Sequence, residues 1–212
     1  MSERLKDKVA LITGGGTGIG KAIAVIFARE GAKVAVAGRT LATLETTVKQ
    51  IESKGGQAIA VRGDVSRAGD AESMVKQTVS TFGKLNVLVN NAGVRASIGT
   101  LLDLTEEEWD RTFDIDAKGS WLCSKYAIPE MRSGGGGSII MISSISAHIG
   151  QAKQGCYNAA KAAQELLMKC MALDFAPDHI RVNSICPAWV ETEMNRAQLA
   201  KMAAGLFLQH YH

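Results

Sequence analysis

Aromatic residues are scarce, at 5% of the 212-residue chain, while glycine occurs 22 times. With 46% hydrophobic and 21% charged residues, that balance suits an Ala/Val/Ile/Gly-rich α/β core. It argues against an aromatic-rich β-sandwich. No apolar run reaches the ~20 residues that a bilayer-spanning helix needs. The charged residues 1–8, MSERLKDK, lack the apolar stretch of a secretory signal. The formal net charge is only +3, and Lys and Arg are scattered, so the basic stripe of a nucleic-acid-binding surface is missing. The four cysteines, Cys123, Cys156, Cys170 and Cys186, form no CxxC pair, and no histidine stands at metal-ligand spacing to them. Nor do His148, His179, His210 and His212 suggest a metal site. The expectation is small buried thiols in a reducing, cytoplasmic setting, with no metal, no membrane and no nucleic acid.

What is present is alternation. Short β-branched runs at 9–13, 33–37, 57–61, 85–89, 138–143 and 180–185 read as buried strands. Between them, 18–30, 41–54, 67–82 and 157–175 read as helices. A further helical stretch starts near Thr105, where Thr105-Glu106-Glu107-Glu108 can form a capping box, and runs with breaks to Arg132. This pattern predicts one doubly wound α/β domain over 1–212, a parallel sheet with helices on both faces.

Thr13-Gly14-Gly15-Gly16-Thr17-Gly18-Ile19-Gly20 follows the first strand and opens the first helix. Glycines there let the backbone turn sharply and approach a pyrophosphate. The helix N-terminus supplies free N–H groups and the positive end of its dipole. Gly14, Gly18 and Gly20 are the spaced set, with Gly16, Thr17 and Ile19 between them. The spacing Gly-x-x-x-Gly-x-Gly differs from the commoner Gly-x-Gly-x-x-Gly.

Together with Asn90-Asn91-Ala92-Gly93 closing the fourth strand, Tyr157-x-x-x-Lys161, and Pro187, this loop resembles the compact short-chain dehydrogenases/reductases. The resemblance runs from about Lys6 to about Thr192. It implies a Rossmann-like sheet of order 3-2-1-4-5-6, NAD(P)-dependent exchange between alcohols and carbonyls, and a homodimer or homotetramer.

At the end of the second strand, a carboxylate would bind the 2′-hydroxyl of NAD and an arginine would suit the 2′-phosphate of NADP. Here the sequence reads Gly38-Arg39-Thr40, with no Asp, which favours NADP(H) while leaving NAD(H) open. Arg39 can also be read as a solvated residue stacking on adenine in either cofactor. Asp64 and Val65 resemble the family's adenine-contacting pair, Asp64 being alternatively a helix cap. Asn90 and Ala92 match positions near the cofactor ribose, and Gly93 lets the chain pass close. Pro187, Val190 and Thr192 match the segment holding the nicotinamide amide, although Ala188 follows Pro187 where glycine is usual.

Tyr157 and Lys161 share one helical face. A tyrosine ionises ordinarily near pH ~10, so proton exchange near neutrality needs a nearby positive charge. Lys161 is placed to provide it, and the resemblance adds that it holds the nicotinamide ribose. By the same resemblance Ser144 binds the substrate oxygen, with Ser143 the lesser choice. Tyr157 and Lys161 thus belong to both the catalytic and the cofactor-binding set.

Two features depart from the family. Asp116 stands where the family usually has Asn, which supports a water leading to the lysine; it completes the expected catalytic set. Past Thr192 the family's small lid, further helix and seventh strand do not follow, and 193–212 reads as a shortened, atypical tail. The expectation is hydride transfer between NADP(H) and a carbonyl or secondary alcohol. The alternative is a truncated, weakly active or inactive cofactor-binding subunit acting through association.

Overall fold

The computed structural model describes residues 3–95, 97–192 and 196. The expected tail at 193–212 lies, apart from Arg196, outside them.

Six parallel strands form one sheet in the order β3-β2-β1-β4-β5-β6. They are β1 Val9–Thr13, β2 Lys33–Gly38, β3 Gln57–Arg62, β4 Val87–Asn90, β5 Gly137–Ile142 and β6 Ile180–Ile185. No seventh strand occurs among the described residues. The register sets Ile12 between Val36 on β2 and Val89 on β4. Because side chains alternate across a strand, each central strand feeds two cores. Leu11, Ala35, Leu88, Ile139 and Met141 point to one face, against α3 (Ala68–Phe82), α5 (Gly119–Ser133) and α6 (Gly155–Asp174). Ile12, Val34, Val36 and Val89 point to the other, against α1 (Gly18–Arg29) and α2 (Leu41–Glu52). Burial on both faces explains why these strands read as unbroken apolar runs.

The fourth strand starts later than the sequence suggested. Leu85 is buried but precedes the ladder, and Asn86 accepts a 3.0 Å bond from the Val9 amide through its side chain. The long helix predicted from Thr105 is in fact α4 (Glu106–Phe113), a π-helical turn (Asp114–Lys118) and α5. Its start is the predicted capping box: Thr105 Oγ1 accepts from the Glu108 amide at 3.2 Å, and Glu108 accepts from the Thr105 amide at 3.4 Å. The π turn widens the helix where Asp116 sits, a geometry that commonly marks functional positions.

The reading of all four cysteines as buried needs correction. Cys123 and Cys156 are buried, and burial pushes the Cys123 thiol up to about 12. Cys170 is exposed and Cys186 partly so. No described helix is long and apolar enough to cross a membrane.

Candidate active site

The carboxyl ends of β1, β2 and β4 open into one cleft of about 340 Å³. In a sheet wound in both directions, the crevice falls where the strand order reverses, here between β1 and β4. Gly14, Gly16, Thr17, Gly18 and Ile19 form its floor; Arg39, Thr40, Asp64 and Val65 lie toward one end; Asn91, Ala92, Gly93, Asp116, Tyr157, Lys161 and Thr192 toward the other. Gly38, read from the sequence as the position without a carboxylate, lines it too, and so do Thr43, Gly63, Ile115 and Ile142, which sequence reasoning did not single out.

The loop is held by β4. Thr13 Oγ1 accepts from the amides of Asn91 and Ala92, each at 3.0 Å, and the Asn91 side chain donates to Thr13 O at 2.9 Å. Gly14 has φ +64, a conformation that favours glycine, and a Cβ there would meet Asn91 Nδ2 at 2.8 Å. Gly16 approaches so close to Thr43 that a Cβ would strike its hydroxyl. Gly20 does not line the cleft; it packs against Asn91 and the Gly14 carbonyl. Asn90 is likewise behind the wall, 2% exposed, its amide donating to Ser124 Oγ at 3.0 Å. Its side chain thus faces α5 rather than the cleft. Pro187 and Val190 are also absent from the lining.

Asp64 accepts from the amide and hydroxyl of Ser66. Burial raises its carboxyl, but those bonds and the charges of Arg39 and Arg67 outweigh it, leaving Asp64 below the usual carboxylate range.

Lys161 is 3% exposed and Asp116 fully buried. Lys161 Nζ stands 3.3 Å from Asp116 Oδ2, donates to Ile142 O at 3.1 Å, and lies 5.7 Å from the Tyr157 ring centre. Asp116 Oδ1 accepts from the Val94 amide at 2.8 Å. Burial pushes the Asp116 carboxyl upward, opposed by Lys161 and that amide. Where the family usually has Asn, Asp116 thus stands in direct buried contact with Lys161.

Tyr157 also borders a hollow of about 70 Å³ with Ser144, Ser146, Gln151, Gln154, Arg95 and Trp189. Ser144 Oγ accepts from the Ser146 amide at 3.1 Å, while Ser143 lies on the cleft side. Arg95 donates to Gln154 at 2.8 Å and sits 5.6 Å from the Trp189 ring centre. No sequence motif joins these three residues; folding brings them together.

A profile of the short chain dehydrogenase family matches residues 8–203. The chain belongs to the short-chain dehydrogenase family. An uncharacterized oxidoreductase of Thermotoga maritima is 44% identical over 188 residues, covering 89% of this chain and 74% of the relative. A short-chain dehydrogenase/reductase structure from Mycobacterium marinum superposes with a TM-score of 0.91 at 37% identity, covering 95% of this chain and 80% of the other. A 7α-hydroxysteroid dehydrogenase, solved with NADH and 7-oxo glycochenodeoxycholic acid, gives 0.89 at 34% identity, covering 92% and 76%. This short-chain dehydrogenase is accordingly an NAD(P)-dependent oxidoreductase.

Proposed function

We propose that the chain moves a hydride between NADP(H) and a small carbonyl or secondary-alcohol substrate, using Ser144, Tyr157 and Lys161. The observation carrying this is the position of Tyr157, which lines both the dinucleotide-sized cleft and the adjoining hollow beside Ser144.

The cleft fits a dinucleotide phosphate. Its floor is glycine at Gly14, Gly16 and Gly18, and α1 begins there with its unpaired amides. At the ribose end Gly38 offers no carboxylate, and a Cβ there would touch only Leu44, at 3.5 Å. That open space beside Arg39 suits a 2′-phosphate, which a planar guanidinium binds well. When bound, the nicotinamide supplies or accepts the hydride.

The chain's own groups do the rest. Ser144 donates a hydrogen bond to the substrate oxygen. Tyr157 gives a proton to that oxygen during reduction and takes it back during oxidation. Lys161 holds positive charge beside the phenol and, through Ile142 O and Asp116, is held in place itself. Asp116 tempers that charge, acting as a positioning residue. Homo-oligomer formation fits the apolar side chains left exposed on the outer helices, Trp109 and Trp121 on α4 and α5 and Leu166 and Leu173 on α6.

The test is titration with NADPH and NADH, then a screen of simple ketones with the preferred cofactor. NADPH preference and ketone turnover are expected, with Tyr157→Phe lowering kcat by about 10²–10⁴-fold while cofactor binding persists. Binding without turnover of any carbonyl would instead establish the non-catalytic subunit.

A further inference from the structure

Away from the cleft and the hollow, three side chains from separate elements converge. His148 closes the short 3₁₀ turn Ile145–Ala147 that follows Ser144. Glu165 lies on α6 one turn past Lys161 and is 6% exposed. Cys186 directly follows β6. None of the three lines the cleft or the hollow.

Cys186 Sγ is 3.5 Å from His148 Nε2 and 3.4 Å from Glu165 Oε1, and His148 Nε2 is 3.9 Å from Glu165 Oε2. Ligand atoms bonded to zinc at about 2.0–2.3 Å in a tetrahedron stand about 3.3–3.6 Å from one another. The two contacts to Glu165 use its two different oxygens; with one donor atom from each residue the three lie within 4.8 Å of one another, so a side-chain adjustment of about an ångström brings them to that size. The chemistry also fits: one thiol, one imidazole and one carboxylate, a set that a thiophilic divalent ion binds and that Mg²⁺ or Ca²⁺ does not favour. Ser184 Oγ donates to Glu165 Oε2 at 2.9 Å, the kind of outer bond that orients a ligating carboxylate.

We propose that His148, Glu165 and Cys186 form a binding site for one Zn²⁺-class ion, with its fourth position open to water on the His148 side. On binding, the Cys186 thiol releases its proton to solvent and coordinates as thiolate. The ion ties the loop carrying Ser144 to α6 and to the end of β6. The linear sequence conceals the site because His148 and Cys186 are 38 residues apart and match no metal-ligand spacing.

The test uses the full chain stripped with chelator, titrated with ZnCl₂ by calorimetry and with CoCl₂ by absorption. One equivalent should bind, and Co²⁺ should give a thiolate-to-cobalt charge-transfer band. Cys186→Ser should abolish that band. His148→Ala, at an exposed position that does not endanger folding, should weaken Zn²⁺ binding by more than about 100-fold, since even outer partners are worth about 10–100-fold. Ser184→Ala should weaken it by about tenfold. Cys170→Ser and a His210→Ala/His212→Ala double variant should bind as the parent does. Absence of the thiolate band, undiminished binding by the Cys186 and His148 variants, or loss of binding in the tail variant would overturn the site.

Discussion

Replacing Asp116 with Asn removes a buried charge beside Lys161 while leaving an oxygen for the Val94 amide. At an effective dielectric of about 20, a unit charge at the 5.7 Å separating Lys161 Nζ from the Tyr157 ring acts on the phenolate by roughly 3 kcal/mol. With Asp116 ionised only 3.3 Å from that ammonium, the phenol faces a dipole rather than a full charge. If the carboxylate cancels about half, removing it returns roughly 1.4 kcal/mol, about one pH unit. On the proposed mechanism, alcohol oxidation requires Tyr157 to be deprotonated, so kcat/KM falls on the acid side. The midpoint of that limb should drop by about one pH unit in Asp116→Asn, and turnover below the midpoint should rise by about tenfold. The assay is a pH profile of alcohol oxidation for both proteins, with cofactor affinity measured alongside. An unmoved or higher midpoint, or slower turnover with intact cofactor binding, would refute the reasoning. A stability arm accompanies it. Asp116 in the folded chain holds its proton more tightly than an unfolded Asp, so its contribution to stability declines as pH rises from about 4 through the folded value. The Asn variant should lose that decline, read from denaturation midpoints across mildly acidic pH.

Arg39→Ala should weaken NADPH by about 10–100-fold, the worth of charge-assisted bonds of roughly 1.5–3 kcal/mol, and leave NADH within a few-fold, by direct titration. Gly20→Ala drives a Cβ into Asn91 and the Gly14 carbonyl; overpacking of roughly 1–3 kcal/mol should lower the melting temperature, with cofactor binding weakened as the loop shifts. Thr105→Ala breaks the capping box and should cost about 1 kcal/mol, seen as a melting temperature lower by about 2–4 °C with kinetics unchanged.

The sheet was legible because its strands are buried on both faces, so Val9–Thr13 and Lys33–Gly38 stand out as apolar runs without help from partners. Strand order came from the resemblance, since no local pattern places β4 beside β1. Glycines were legible as a loop but not by role: Gly14 and Gly16 face the cleft, whereas Gly20 serves packing. The Asn90-Asn91 pair shows the limit most clearly. Two identical neighbours at the end of β4 take opposite directions, one into the α5 contact and one onto the phosphate loop, because successive positions on extended backbone face opposite sides. Asp116 was visible as an odd residue at a known place, but its direct contact with Lys161 depends on a π turn that has no sequence signature here. Ser144 and Tyr157 beside the hollow were legible, but the His148–Glu165–Cys186 triangle was not, being assembled from residues far apart in the chain.

That π turn also governs how two helices mesh. From Asp116 a buried polar seam runs along α5: Ser120 Oγ donates to Asp116 O, and Ser124 Oγ to Ser120 O. Gln164 on α6 donates to Ser120 Oγ at 2.7 Å, Lys161 donates to Gln164 at 3.4 Å, and Asn90 reaches Ser124 from β4. Apolar ridges tolerate a little sliding, but these bonds work like the teeth of a gear, engaged at one phase only. A single-residue deletion within 114–118 would turn α5 by about 100° relative to α4 and pull Ser120 from Gln164 and Ser124 from Asn90 together. The molecule should therefore accept substitutions along this seam far better than changes in its length.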